Sequence, residues 1–373
     1  MYQNLDNDAK VDLEGNNDDI NLLPSGGFSI REVAKAGIFV TIFALFASLS
    51  VQTKTNFTQT TGINTVISQL TSLDQLPRET VFGEVSDNNK EYIFNLYSKK
   101  YSKNYLSDEE YTARLSTFKT TLDLIDVKNS NERLSGGSAR HGVTKYSDMS
   151  ASELKSTILS GRKQNTGTDR LRGEALFLSI SPYSGSESSR DWTDVMTTPV
   201  IDQGFCGSCW AWSTVFQLES DAIRKQLLTS DDTLSVQQLL SCDSIDEGCN
   251  GGWTELGFAY AMETPILLSS SYPYSSYDVN DGVTPQCALN STLIDSKTTN
   301  GHGIAIKVDN FYGISTEDEM ISYVLSTGPL SICAASSDWM TYIDGIISTC
   351  SGDVDHCVQI VGVDVEQGFW KVV

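Results

Sequence analysis

Histidine is scarce in this chain: 373 residues hold only three, His141, His302 and His356. No two stand at a metal-ligand spacing, and a zinc clip needs four ligands, usually as two close pairs. Positive charge is scarce too, with 26 Lys and Arg against 48 Asp and Glu, a net charge of -22. That balance excludes nucleic acid as a partner and docking on anionic lipid. There is no internal repeat. Residues 36–51, "AGIFVTIFALFASLSV", carry no charge, but the run falls short of the about 20 residues of an ordinary membrane span.

Adding Val33 and Ala34, with Lys35 snorkelling between that extension and the run, makes a span feasible. The expectation is an uncleaved signal anchor over 36–51, amino terminus in the cytosol. A cleaved signal peptide is the rival, with small residues at Ser48-Leu49-Ser50 for the cut. Either sends the remainder into the secretory lumen; the anchor makes the precursor a single-pass type II membrane protein, and the mature part is expected in a lysosome, a vacuole or outside the cell. Eight cysteines, seven of them between Cys206 and Cys350, fit an oxidising compartment. Asn56 and Asn290 open possible glycosylation triplets.

The chain divides by composition. Residues 1–35 are polar and acidic, a disordered tail. Residues 52–85, rich in Ser, Thr and Asn, read as a spacer. Over 86–160 a helical block follows, in which Ser107 and Glu110 form a capping box. Arg114, Phe118, Ile125 and Asn129 then fall near one helical face, as in any amphipathic helix. Residues 161–190 lose periodicity and read as an exposed, nickable linker. The cysteine-rich region, 191–373, ends in strand-like "GPLSICAA", "HCVQIVGVDV" and "GFWKVV".

The stretch "DQGFCGSCWAWS", residues 202–213, admits three chemistries. A metal clip lacks its second pair, since Cys242 and Cys249 are seven apart. A redox pair would open a helix after a buried strand, and that strand is missing. A nucleophile fits best. Apolar residues at 212, 215, 216, 222, 223 and 227 make a helical stripe, which puts Cys209 at a helix N-terminus, where the dipole favours a thiolate. Gln203 supplies an amide donor nearby. Such a nucleophile needs a histidine as base: His141 lies before the linker, His302 lies in a glycine-flanked turn, and His356, at the mouth of an apolar strand, would by itself read as a structural strand residue.

Gln203 to Trp210, Q-G-x-C-G-S-C-W, resembles the active-site signature of the papain-family cysteine proteases. His356 lies 147 residues after Cys209 (356 − 209), within the family's interval of about 130–150. "GCNGGW" (248–253), "YPY" (272–274) and "GPLS" (328–331) resemble family segments as well. Upstream, Glu110, Arg114, Phe118, Ile125 and Asn129 resemble the ERFNIN propeptide helix of the cathepsin L-like branch. Gly142, Tyr146 and Asp148 resemble its GNFD-type motif, with Thr121 and Thr144 where Asn is usual. The resemblance covers about residues 88–373. With the anchor and acidic tail, the precursor is similar to vacuolar cysteine proteases of apicomplexan parasites.

The resemblance implies an α+β, papain-like two-domain fold, a helical left domain and a β-barrel-like right domain, preceded by a helical inhibitory propeptide. It implies Cys209 as nucleophile, His356 as its imidazolium partner, and Gln203 with the Cys209 N–H as oxyanion hole. Gly251 and Gly252 would bind the substrate backbone. Trp253, Cys333, Val354 and Cys357 would line the specificity pocket, Cys357 replacing the usual alanine. Cys206 would pair with Cys249 and Cys242 with Cys287, while Cys350 would await a partner beyond the chain. Implied partners are protein or peptide substrates, the chain's own propeptide and cystatin-like inhibitors, with membrane contact through 36–51. No metal or other cofactor is implied. The expected N-S-W-G asparagine, which would orient His356, is missing after "FWKVV", so the reading is of a carboxy-terminally truncated zymogen. A non-catalytic decoy, inhibiting other proteases through its propeptide, is the alternative.

Overall fold

The computed structural model describes residues 2–4, 62–159, 176–275, 282–289, 305–348 and 352–373. The anchor segment, the greater part of the tail, Asn56, Asn290, His302 and Cys350 lie outside these. Among the described residues no helix is long and apolar enough to cross a membrane.

The first layer is helical. Helix α1 (Asp87–Lys100) packs on α2 (Asp108–Ser135) through Phe94, Tyr97, Phe118, Leu122 and Ile125, all fully buried. Ser107 caps α2 by accepting the Glu110 N–H at 3.2 Å. The Glu110 carboxylate reaches one residue beyond the N-cap, to the Leu106 N–H at 2.7 Å. The supposed spacer is part of this core. Ile67, Leu70, Leu73, Phe82 and Val85 are buried in the same cluster, and the Asp126 carboxylate accepts the Phe82 and Gly83 N–H groups at 2.9 and 2.7 Å. These residues hide from a periodicity search because they come from short irregular turns.

A short strand β2 (Arg140–His141) and helix α3 (Ala151–Thr157) complete this unit. The chain resumes with β3 (Leu176–Phe177) and β4 (Ser189–Asp191). Since β4 already pairs with the central strand, the second unit begins before residue 191. Among the described residues its helices are α4 (Cys209–Arg224), α5 (Val236–Cys242), α6 (Thr254–Glu263) and α7 (Glu317–Ser326). Its strands include β5 (Ile266–Leu267), β6 (Ala305–Lys307) and β7 (Tyr312–Gly313). Then follow β8 (Leu330–Ala334), β9 (Tyr342–Asp344), β10 (His356–Asp364) and β11 (Phe369–Val372). Strand β10 is central: β8, β11 and β4 all pair antiparallel with it. Strand β6 lies between β5 and the parallel β1 (Tyr2–Asn4), and β3 runs parallel to β7.

Helix α4 lies between the helical half and this sheet. That explains why Ser213, Gln217 and Ser220 are buried alongside its apolar stripe. Ser213 Oγ donates to Val358 O and meets Ser331 Oγ, both at 2.7 Å. Gln217 accepts the Ser331 N–H at 2.7 Å, and Gln359 donates to Ser220 at 2.9 Å. Buried polar groups are tolerable only when so paired.

Candidate active site

Cys209 is the first residue of α4 and is buried. Among the described cysteines it is the one not joined in a disulfide. Its helix is pinned one turn on, through Ser213, to Val358, two residues beyond His356. The structure thus brings the helix of the candidate nucleophile and the strand of the candidate base into direct contact. His356 opens β10 with Trp339 edge-on at 6.1 Å. Its Nδ1 is buried and has no partner among the described residues. Burial pushes the imidazole down to about 4, against a smaller upward pull from Asp355. Asp355 is itself engaged, accepting the Ser336 N–H and hydroxyl at 2.8 and 3.0 Å.

Gln203 is held on a loop shaped by its neighbours. Tyr274 OH donates to Gln203 O at 2.9 Å and sits at 2.9 Å from Ser208 Oγ. The Gln203 amide donates to Cys206 O at 2.7 Å and to Ile158 O at 3.0 Å. Ile158 closes α3 in the first unit. A main-chain carbonyl from upstream therefore occupies the donor assigned to the oxyanion. Removing one such donor typically costs 10²–10³ in kcat. Gln203→Ala is accordingly expected to lower kcat about 10²–10³-fold with little change in KM, as steady-state assays of the released domain would show.

The loop 248–253 is packed on Trp210, the neighbour of Cys209. A Cβ at Gly252 would stand 2.6 Å from the Trp210 ring and 2.7 Å from Asp246 Cγ. Gly251 has φ +117, a backbone that L residues rarely adopt. Trp210 Nε1 donates to Gly248 O at 3.1 Å, and Trp253 N–H to Asp246 Oδ1 at 2.9 Å. Burial first, then the charge of Asp243, push Asp246 up to about 8. A raised carboxyl favours the folded loop at low pH, and that support fades as pH rises toward about 8.

Of the other residues expected to line the specificity pocket, Trp253 is the N-cap residue of α6 and is half-buried, and Val354 is exposed. Cys206 is joined to Cys249 and Cys242 to Cys287. Cys333 and Cys357, expected to line the pocket, are joined to each other in a third cystine. They face each other directly across β8 and β10, a relation that a separation of 24 residues in sequence does not reveal.

The upstream unit is fastened to the peptidase half at several points. Strand β2 pairs antiparallel with β9, and Gly142 N–H donates to Thr341 O at 2.7 Å. A Cβ on Gly142 would stand 2.8 Å from Ile343. Asn129 brackets His141, accepting its N–H at 2.9 Å and donating to its carbonyl at 2.8 Å. Thr144 Oγ1 donates to Met340 O at 2.6 Å, and Lys145 pairs with Asp202, next to Gln203. Asp148 is buried and accepts from Tyr97, Lys103 and Tyr105 at 2.6, 2.9 and 3.0 Å. Arg114 binds Glu153 at 2.7 Å and Asp148 O at 3.2 Å. Tyr146 packs against the buried cluster of Met149, Leu154, Ile158 and Leu159. His141, absent from the site read off the sequence, is buried in this contact, its Nδ1 2.9 Å from Thr341 Oγ1.

Fold and site together define the class: a cysteine peptidase domain behind a helical inhibitory segment. Residues 186–373 match the papain family cysteine protease model, and residues 94–154 match the cathepsin propeptide inhibitor domain. The chain belongs to the papain family of cysteine proteases. It is 29% identical to cysteine proteinase B of Leishmania mexicana over 75% of this chain and 61% of that protein. It is 31% identical to the viral cathepsin of Heliothis zea nuclear polyhedrosis virus over 76% of each. With cysteine proteinase 1 of Dictyostelium discoideum the identity is 33%, over 74% of this chain and 79% of that one. The chain thus spans 61% of the Leishmania protein's length. The fold is similar to that of digestive procathepsin L 3 from Tenebrio molitor larval midgut, with TM-score 0.61, 24% identity, and coverage of 75% of this chain and 87% of that one.

Proposed function

We propose that this chain is the zymogen of a cysteine endopeptidase that acts through Cys209 and His356 and is held off by residues 62–159. The observation that carries the reading is the Gln203 amide, which donates to the carbonyl of Ile158. The propeptide places a peptide carbonyl where substrate would place the oxygen that becomes negative.

In the freed site Cys209 Sγ attacks a substrate carbonyl carbon, its proton having passed to His356. Charge collects on the oxygen, facing the Gln203 amide and the Cys209 N–H. As the C–N bond breaks, the imidazolium protonates the departing amine. Water, deprotonated by the same imidazole, then cleaves the thioester. While the propeptide is seated, burial keeps His356 neutral, which disfavours the thiolate–imidazolium pair. The three cystines among the described residues fit an oxidising secretory compartment.

Release in acid follows from His141. Burial, and then Lys128, lower its pKa, against a smaller upward pull from Asp338. Those two charges pair with each other at 3.0 Å across the same contact. A histidine whose bound pKa is depressed supports the bound state fully above its free value of about 6.5. That support is lost as pH falls from there toward the bound pKa. The full-length protein should therefore cleave a fluorogenic dipeptide after incubation near pH 5 and not at pH 7.5. His141→Gln, neutral at every pH, should need a lower pH for release, read as the midpoint of activity against incubation pH. Full turnover at pH 7.5 without cleavage or dissociation of the propeptide would sink the zymogen reading.

A further inference from the structure

The cystine Cys333–Cys357 has no role in the chemistry above, yet its place is unusual. It joins directly opposed residues of β8 and β10, with Cα atoms 3.9 Å apart. The next pair along the same ladder is Ala334 and His356. Both cysteines are partly exposed. Cys357 also packs against the apolar cluster that contains Trp212, Val215 and Leu218 of α4. The sulfurs therefore lie where the helix that begins with Cys209 meets the strand that begins with His356.

Both strands are fixed just beyond the bridge. Ser331 of β8 is bonded to Ser213 and Gln217, and Val358 O of β10 accepts from Ser213. Bonded sulfurs stand about 2 Å apart, whereas unbonded heavy atoms need about 3.5–4 Å. Opening the bridge in this packed seam demands about 1.5 Å of extra room. The helix and Val358 are pinned, so the displacement falls on the first two residues of β10. A shift of about 1 Å at reacting groups can cost about 10²-fold in rate.

We infer that the Cys333–Cys357 cystine is a positioning element for the catalytic pair, and that its reduction by a low-molecular-weight thiol disengages His356 from Cys209. The Sγ–Sγ bond breaks and two thiols of the reductant lose their hydrogens to form its own disulfide. The two protons and two electrons end on Cys333 and Cys357. The inference rests on Cys209 and His356 acting as a pair.

The test needs no hydrolysis. Full-length protein at pH 5 is pulsed with iodoacetamide across a glutathione redox series, and peptide mass mapping reports the state of each cysteine. An ordinary thiol, of pKa about 8.5, is almost entirely protonated there, so rapid labelling of Cys209 reports the ion pair. Rapid labelling with the bridge closed, falling about tenfold or more as Cys333 and Cys357 become reduced, is the expected result. The double variant Cys333→Val/Cys357→Ala should show no such response, which excludes the other two cystines as its source. Equal, rapid labelling in both redox states overturns the inference and leaves the catalytic pair standing. Slow labelling in both states removes the pair and the inference with it. The inference also fails if no such cystine is found, or if the double variant responds like the parent.

Discussion

Cys209→Ala is expected to lower kcat for peptide hydrolysis by about 10⁴-fold or more, while the protein still folds and still binds its propeptide. The size follows from what is removed. Without the sulfur there is no acyl-enzyme, and only binding and oxyanion stabilisation remain, which together leave a modest residue of catalysis. Folding should survive because alanine suits a helix N-terminus and the buried side chain is small. Ser213, Gln217 and Ser220 hold α4 to the sheet through hydrogen bonds that the substitution leaves in place. Steady-state assays of acid-treated protein against a Leu- or Phe-containing fluorogenic dipeptide would measure the loss. Residual turnover within tenfold of the parent would mean that another group is the nucleophile.

Phe118→Ala is expected to destabilise the propeptide by about 3–5 kcal/mol, the usual range for truncating a buried aromatic. Phe118 is fully buried, with ring centroids 5.2 Å from Phe94 and 4.9 Å from Tyr97. The effect should travel. Tyr97 OH donates to Asp148 and to the Lys145 carbonyl at 2.6 and 2.9 Å. The segment so held carries Thr144, bonded to Met340 O, and Lys145, paired with Asp202. Loosening the aromatic cluster therefore loosens the clasp on the peptidase half. Small domains hold only about 5–15 kcal/mol in all, so this loss leaves the inhibitor marginal. Urea unfolding should show an earlier propeptide transition, and activity should appear at neutral pH. Phe118→Leu, which keeps most of the volume, should do much less. Unchanged latency at pH 7.5 for Phe118→Ala would show that the cluster does not support inhibition.

His356, which alone reads as a structural strand residue, is assigned by the family resemblance, whereas Cys209 at the start of a helical stripe, with Gln203 upstream, is legible in local order. Such features are legible because helix periodicity and the chemistry of a nucleophile are both expressed within a few residues. The long propeptide helix was legible for the same reason, with its Ser107 cap and its buried Phe118 and Ile125. The core residues between 62 and 85 were not, since they enter the cluster from turns without a period. Nor was His141, because a buried histidine in an interface looks in sequence like any other strand residue.

By itself, then, the sequence determined the peptidase family resemblance, the order of inhibitor and peptidase segments, and the candidate nucleophile, base and oxyanion donor. Tertiary structure alone decided which distant groups touch. It set Ile158 O on the Gln203 amide, joined Cys333 to Cys357 beside His356, and buried a polar seam along α4. The physical reason is that side-chain periodicity encodes which face of an element is buried. The partner on that face is chosen by packing between segments up to hundreds of residues apart, and no local pattern records it.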